Sequence, residues 1–141
     1  MARTLGIDHG TKRMGIAVSD ELGMIAQPLE YIPAHPIEDF FKALEVLIRE
    51  REVNLIIVGM PRNMNGTYGP AAEKVRFFVA SLKEHFPEMP IRTWDERLSS
   101  SQANRILIEA DVRRDKRKEK VDKMAAAIFL QSYLDSVALG N

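Results

Sequence analysis

The chain opens with Thr4-Leu-Gly-Ile-Asp8, then His9-Gly-Thr-Lys-Arg-Met14, then Gly15-Ile-Ala-Val-Ser-Asp20. Two short runs of β-forming residues flank a turn bearing Gly, Lys and Arg, which is the pattern of a hairpin. Asp20-Glu-Leu-Gly23 reads as a second turn and Met24 to Ile32 as a third strand. Pro28 has no N–H to give to a ladder, so that strand suits an edge or irregular position. Three antiparallel strands in a meander therefore begin the fold.

Beyond them the periodicity changes. Pro36 opens a helix in which Phe40, Leu44, Leu47, Ile48 and Arg51 recur three or four apart, so its apolar members form one stripe. Asn54-Leu-Ile-Ile-Val-Gly59 is a continuous apolar run, as expected of a strand buried on both faces. A turn-rich loop from Met60 to Gly69 leads to Pro70 at the favoured first position of a second helix, with its stripe at Val75, Phe78, Val79, Leu82 and Phe86. Ile91 to Asp95 makes a short fifth strand. Ser99-x-x-Gln102 is a capping-box pattern ahead of a third helix carrying Ala103, Ile106, Leu107 and Ala110. A last helix is expected from about Val121 to Val137, with Met124, Ala125, Ile128, Gln131 and Leu134 on its contact side. The sum is an α/β domain with a mixed five-stranded sheet and helices packed on it, one domain across residues 1–141.

Composition narrows the function. With 45% hydrophobic residues and no Cys, the chain is neither disordered nor a disulfide scaffold, and it lacks the thiolates of structural zinc-finger and iron–sulfur sites. The absence of Cys fits a reducing cytoplasm. An acid at position 8 interrupts the N-terminus, so neither a signal-peptide core nor a membrane span is expected there. The 20 Lys+Arg balance 20 Asp+Glu, which argues against a nucleic-acid partner only if the charges are spread evenly. They are not: Arg113 to Lys120 holds six bases against two acids.

Asp8 is the most informative acid, because Asp is depleted in strands and a carboxylate loses solvation there. It reads either as an Asx-turn cap with Gly10 and Thr11 or as a ligand for a hard cation. Asp95 and Glu96 follow at the end of the fifth strand. Neighbouring strand residues face opposite ways, so at most one of them shares a site with Asp8. Pairing with Arg97 is the plain alternative for either. Asp122 begins the expected last helix, where capping is a second explanation. Isolated acids at element ends are what two divalent cations about 3.5–4 Å apart require. His9, His35 and His85 are scattered singly, so Mg²⁺ or Mn²⁺ is favoured over zinc. Lys12, Arg13, Arg62 (with Asn63 and Asn65), Arg97 and the run containing Arg113, Arg114, Lys116, Arg117 and Lys118 supply donors for phosphates, with a solvated loop as the ordinary reading of the run.

Taken together, Asp8-His-Gly-Thr-Lys-Arg-Met-Gly-Ile-Ala-Val-Ser-Asp20, Val58-Gly-Met-Pro61 with Asn65-Gly-Thr67, Asp95-Glu-Arg-Leu-Ser99 and Val121-Asp-Lys-Met-Ala-Ala126 resemble, in order and over nearly the whole chain, the YqgF (RuvX) family of pre-16S rRNA nucleases, also described as Holliday-junction-resolvase-like. The resemblance implies a ribonuclease H-like fold and metal-dependent phosphodiester hydrolysis at the 5′ end of the 16S rRNA precursor in the bacterial cytoplasm. It also implies Asp8, Glu96 and Asp122 as catalytic and metal-binding acids, with Asp95 as the substitute for Glu96. The fourth strand ends Val58-Gly-Met-Pro61, without the acid that the wider superfamily often places there. RNA is favoured over branched DNA, with pre-ribosomal particles as further partners, no membrane, and a monomer or weak dimer. The alternatives are a junction resolvase, which needs a two-fold dimer for paired cuts, and a catalytically silent RNA-binding assembly factor. Asp8-x-Gly-Thr-Lys also resembles the first phosphate loop of actin-like ATPases and sugar kinases, which close two such domains around a nucleotide.

Overall fold

The computed structural model describes residues 2–61, 67–95 and 114–138, with side chains of the last segment from residue 124 onward. In chain order the elements are β1 (Arg3–Asp8), β2 (Arg13–Ser19), β3 (Ala26–Pro33), α1 (Ile37–Glu50), β4 (Val53–Met60), α2 (Pro70–His85), β5 (Ile91–Asp95) and α3 (Arg114–Ala138). The sheet order is β3-β2-β1-β4-β5. The first three strands are antiparallel, while β4 runs parallel to β1 and β5 parallel to β4. The expected mixed five-stranded sheet is observed, and Pro28 does lie on an edge strand, β3. The helix expected after Ser99 falls outside the described residues.

Local chemistry accounts for the connections. A Cβ on Gly10 would run into the carbonyl oxygen of Arg13, so only glycine lets the β1–β2 turn close this tightly. After β2 the Asp20 carboxylate accepts the backbone N–H groups of Met24 (2.7 Å) and Ile25 (3.0 Å), tying the second turn shut. Pro70 follows the Gly69 cap at the start of α2, where its missing N–H leaves no partner unmet.

Strand alternation sends side chains into two cores. On one face Leu5, Ile7, Ile16, Ile56 and Val58 pack under Phe40 and Leu44 of α1 and Phe78 and Leu82 of α2. On the other, Ala17 and Ile57 lie under Ala126, Phe129, Leu130 and Leu134 of α3. Both faces of β4 are covered, which explains its uninterrupted apolar sequence. Burying each large side chain such as Phe40 or Phe129 stabilises the fold by about 1.5–3 kcal/mol.

The last helix departs from expectation twice. It starts at Arg114, not near Val121, so the segment of the basic run from Arg114 onward is helical. Arg, Lys and Glu are good helix formers, and neither Gly nor Pro interrupts them. Its contact side matches the expected one at Ala125, Leu134 and Gln131 but is wider: Ala126, Phe129 and Leu130 are fully buried, whereas Met124 and Ile128 are only half-buried. Small Ala126 hides in the closest approach to the sheet, where size, not hydropathy, decides the contact.

Two outcomes follow for stability. A Cβ on Gly6 would stand 3.2 Å from the Leu130 Cβ and 3.4 Å from the Ala126 carbonyl oxygen. Gly6→Val therefore pushes α3 off the sheet and lowers unfolding free energy by about 1–3 kcal/mol in urea titration. The N–H groups of Ile25 and Met24 hold the Asp20 carboxyl below the usual carboxylate range. Its contribution is present above that range and fades as pH falls through the lowered value. Asp20→Ala thus lowers the Tm at pH 7, and the gap from the parent chain narrows below about pH 4.

Candidate active site

Asp8 is the last residue of β1. Ile7 pairs with Val58 and Val58 with Thr93, so the C-terminal ends of the three parallel strands lie together along one edge of the sheet. That edge is the common location of ligand sites in open α/β sheets. Alternation assigns Asp8 to the face of Gly6, which is the face α3 covers. Directly opposite stands Gly15, where a Cβ would sit 3.2 Å from the Asp8 Cβ and 3.7 Å from its Oδ2. The missing side chain at 15 leaves the half-buried carboxylate room beside β2.

The course of α3 fixes what lies above Asp8. Gln131 accepts the Ala26 N–H (2.8 Å) and donates to the Met24 carbonyl (2.8 Å). Ala26 pairs with Ser19, whose Oγ accepts the Thr4 N–H, so Gln131 is level with the start of β1. Ala126 and Leu130 lie over Gly6. The helix therefore runs antiparallel to β1. One turn back from Ala126 is residue 122, about 6 Å along the axis, and Asp8 lies two residues beyond Gly6, about 6.6 Å along the strand. The backbone brings position 122 of α3 level with Asp8 on the same face. Residue 122 is in the third turn of α3, away from the unpaired N–H groups of the helix start, so capping does not explain an acid there.

Asp95 is differently placed. It pairs with Met60 at the end of β5. The Trp94 ring meets Tyr133 of α3 at 5.3 Å and its Nε1–H donates to Ser132 Oγ at 3.4 Å, so Trp94 takes the α3 face and Asp95 the opposite one. Glu96, Arg97, Arg62 and Arg113 lie outside the described residues, as do the side chains of Arg114, Lys116, Arg117, Lys118 and Asp122. Lys12 is exposed in the hairpin turn. Arg13 places its guanidinium 4.3 Å from the centre of the Tyr31 ring, and a Cβ on Gly15 would lie 3.8 Å from Tyr31 Cε1. Asp8, Gly15, Arg13 and Tyr31 thus form one patch. Tyr31 was not foreseeable as part of it, because its proximity depends on the β2–β3 register, which includes an irregularity between Met14 and Ile16.

His9 turns to the other face. Its ring is 5.0 Å from that of Phe78, and burial, then the charge of Lys74, holds the imidazole below its ordinary range. It lines a pocket of about 350 Å³ with Lys74, Phe77 and Phe78. Among the described residues no three His, Cys, Asp or Glu side chains converge as a metal site; of the three expected acids, only Asp8 has a described side chain. An all-carboxylate donor set suits hard divalent cations. No helix among the described residues is long and apolar enough to cross a membrane.

Comparison with known proteins bears on the family and the fold. The family model described as "RuvX: Holliday junction resolvase" matches residues 2–136. A protein of Geobacillus kaustophilus named "Putative pre-16S rRNA nuclease" is 54% identical, over 95% of this chain and 98% of its own. One of the same name from Desulforamulus reducens is 52% identical over 96% and 98%. Among solved structures, Thermus thermophilus RuvC in complex with Holliday junction substrate superposes with a TM-score of 0.57 at 17% identity, covering 99% of this chain and 97% of that one. The fowlpox virus Holliday junction resolvase gives 0.54 at 13% identity, covering 96% and 99%. At such identities the likeness concerns the fold, which is ribonuclease H-like. With a full-length family match and relatives above half identity, the chain belongs to the RuvX family.

Proposed function

We propose that the chain is a single-domain, metal-dependent nuclease that hydrolyses a phosphodiester bond at the 5′ end of the 16S rRNA precursor, in the cytoplasm. The observation that carries this reading is the antiparallel passage of α3 over β1, which sets position 122 level with Asp8 on one face of the sheet. Asp8 and Asp122 are the two principal ligands. Glu96 is the third, in place of Asp95, which the end of β5 turns to the opposite face. Mg²⁺ or Mn²⁺ held there supplies an activated water and neutralises charge on the departing oxygen.

The remaining residues bind and orient. Lys12 and Arg13 contact phosphates on either side of the scissile bond, and the stacking of Arg13 on Tyr31 limits the conformations its guanidinium must give up on binding. Arg62, Arg97 and the basic start of α3 (with Arg113, Arg114, Lys116, Arg117 and Lys118) extend this contact along the backbone without reading bases. The names of the relatives favour RNA, while the description of the family favours a four-way DNA junction as the second reading.

Purified protein with Mn²⁺, presented with precursor rRNA and with a synthetic junction, decides between them: preferential cutting of the RNA supports the proposal, and paired cutting of the junction alone overturns it. Asp8→Asn and Asp122→Asn each lose at least about a hundredfold in cleavage rate with unchanged far-ultraviolet circular dichroism, and Asp95→Asn changes it far less. Undiminished cleavage by folded Asp8→Asn contradicts the assignment. Arg13→Ala makes the plot of log affinity for single-stranded RNA against log salt shallower by about 0.7, the share of one phosphate contact.

A further inference from the structure

The pocket beside His9 is not used by the hydrolytic chemistry, yet it begins one residue from Asp8. Alternation turns His9 away from the acids and into this cavity of about 350 Å³, on the α1/α2 face. That volume lies in the range of small-molecule sites. Phe77 projects from α2 at its wall, 75% exposed despite its size, while the next residue, Phe78, is buried. A large aromatic side chain left in water beside a cavity gains nothing for the fold, but it offers a flat face to a planar ligand. Lys74, one turn before Phe78 on α2, is at the rim, and His9, His35 and Ser81 add hydrogen-bonding groups to the lining.

We infer that this pocket receives an unpaired nucleobase of the strand being cut, stacked on Phe77, with Lys74 on a flanking phosphate. Aromatic stacking combined with cationic contacts to the backbone is how proteins hold single-stranded nucleic acid. The inference rests on the nuclease reading for the origin of the strand. Because Asp8 and the pocket lie on opposite faces at the same sheet edge, a strand with its scissile phosphate at Asp8 crosses that edge and delivers a neighbouring nucleotide to His9. A base held there demands an unpaired strand next to the cut, which favours single-stranded precursor ends over continuous duplex.

The test is binding without turnover: fluorescence anisotropy in EDTA at low salt, with the full chain, a labelled oligouridylate and an abasic ribose-phosphate oligomer of equal length. The parent chain is expected to prefer the base-bearing oligomer about tenfold, as one stacked base provides. Phe77→Ala loses that preference, and Phe77→Trp keeps it. Equal affinity of the parent for both oligomers, an unchanged preference in Phe77→Ala, or no RNA binding at all overturns the inference. Since no cleavage is measured, a parent chain that fails to cut RNA with Mn²⁺ but retains the base preference sinks the nuclease reading and leaves the pocket standing.

Discussion

The close contact between α3 and β1 at Gly6 is the constraint on which the rest of the structure depends. With no side chain at 6, the helix settles until the Ala126 carbonyl and the Leu130 Cβ lie within 3.4 Å of where a Cβ would be. At that spacing a helix parallel to the strand axis carries its residues past the sheet edge at nearly the strand's own pace, one helical turn against two strand residues. An acid two residues beyond Gly6 and an acid one turn before Ala126 are then level. The glycine on β1 and the small residues of α3 therefore do more than fill a core, because they set how closely the backbone at position 122 passes that of Asp8.

Neighbouring carboxylates repel, so the site proposed for Asp8 and Asp122 is unfavourable until cations arrive. This is the physical sense of the chain's balanced charge. The 20 acids and 20 bases cancel on average, while the proposed nuclease site sets the acids Asp8 and Asp122 apart from the bases Lys12, Arg13 and the run from Arg113. In that reading a phosphate backbone is attracted to the bases, and metal at the acids lowers the repulsion that it meets there. Gly15 opposite Asp8 and Tyr31 beneath Arg13 refine that juxtaposition, one by leaving space and the other by restraining a long side chain.

Much of this was legible in the residues alone. The hairpin around Gly10, the edge position of Pro28, the double-sided burial of β4 and the start of α2 at Pro70 each follow from one local rule, and the structure shows each. Asp8 stood out because a strand end is a costly place for a carboxylate. The extent of α3 was not legible, since a run of like charges reads as a solvated loop until helix propensity and packing against the sheet are weighed together. Its contact side was legible at Ala125, Gln131 and Leu134 but not at Ala126, which is selected for smallness where backbones approach, whereas a hydropathy stripe favours Met124 and Ile128. Tyr31 and the pocket beside His9 depend on strand register and on the packing of α2, which no periodicity encodes.

The central claim is that Asp8 and Asp122 bind adjacent divalent cations, and electron paramagnetic resonance of the Mn²⁺-loaded protein tests it most directly. Two ions about 3.5–4 Å apart are exchange-coupled, so at two equivalents of Mn²⁺ the six-line spectrum of isolated ions gives way to a coupled signal, which Asp8→Asn and Asp122→Asn each abolish. A spectrum of isolated ions alone, unchanged by either substitution, would contradict the account.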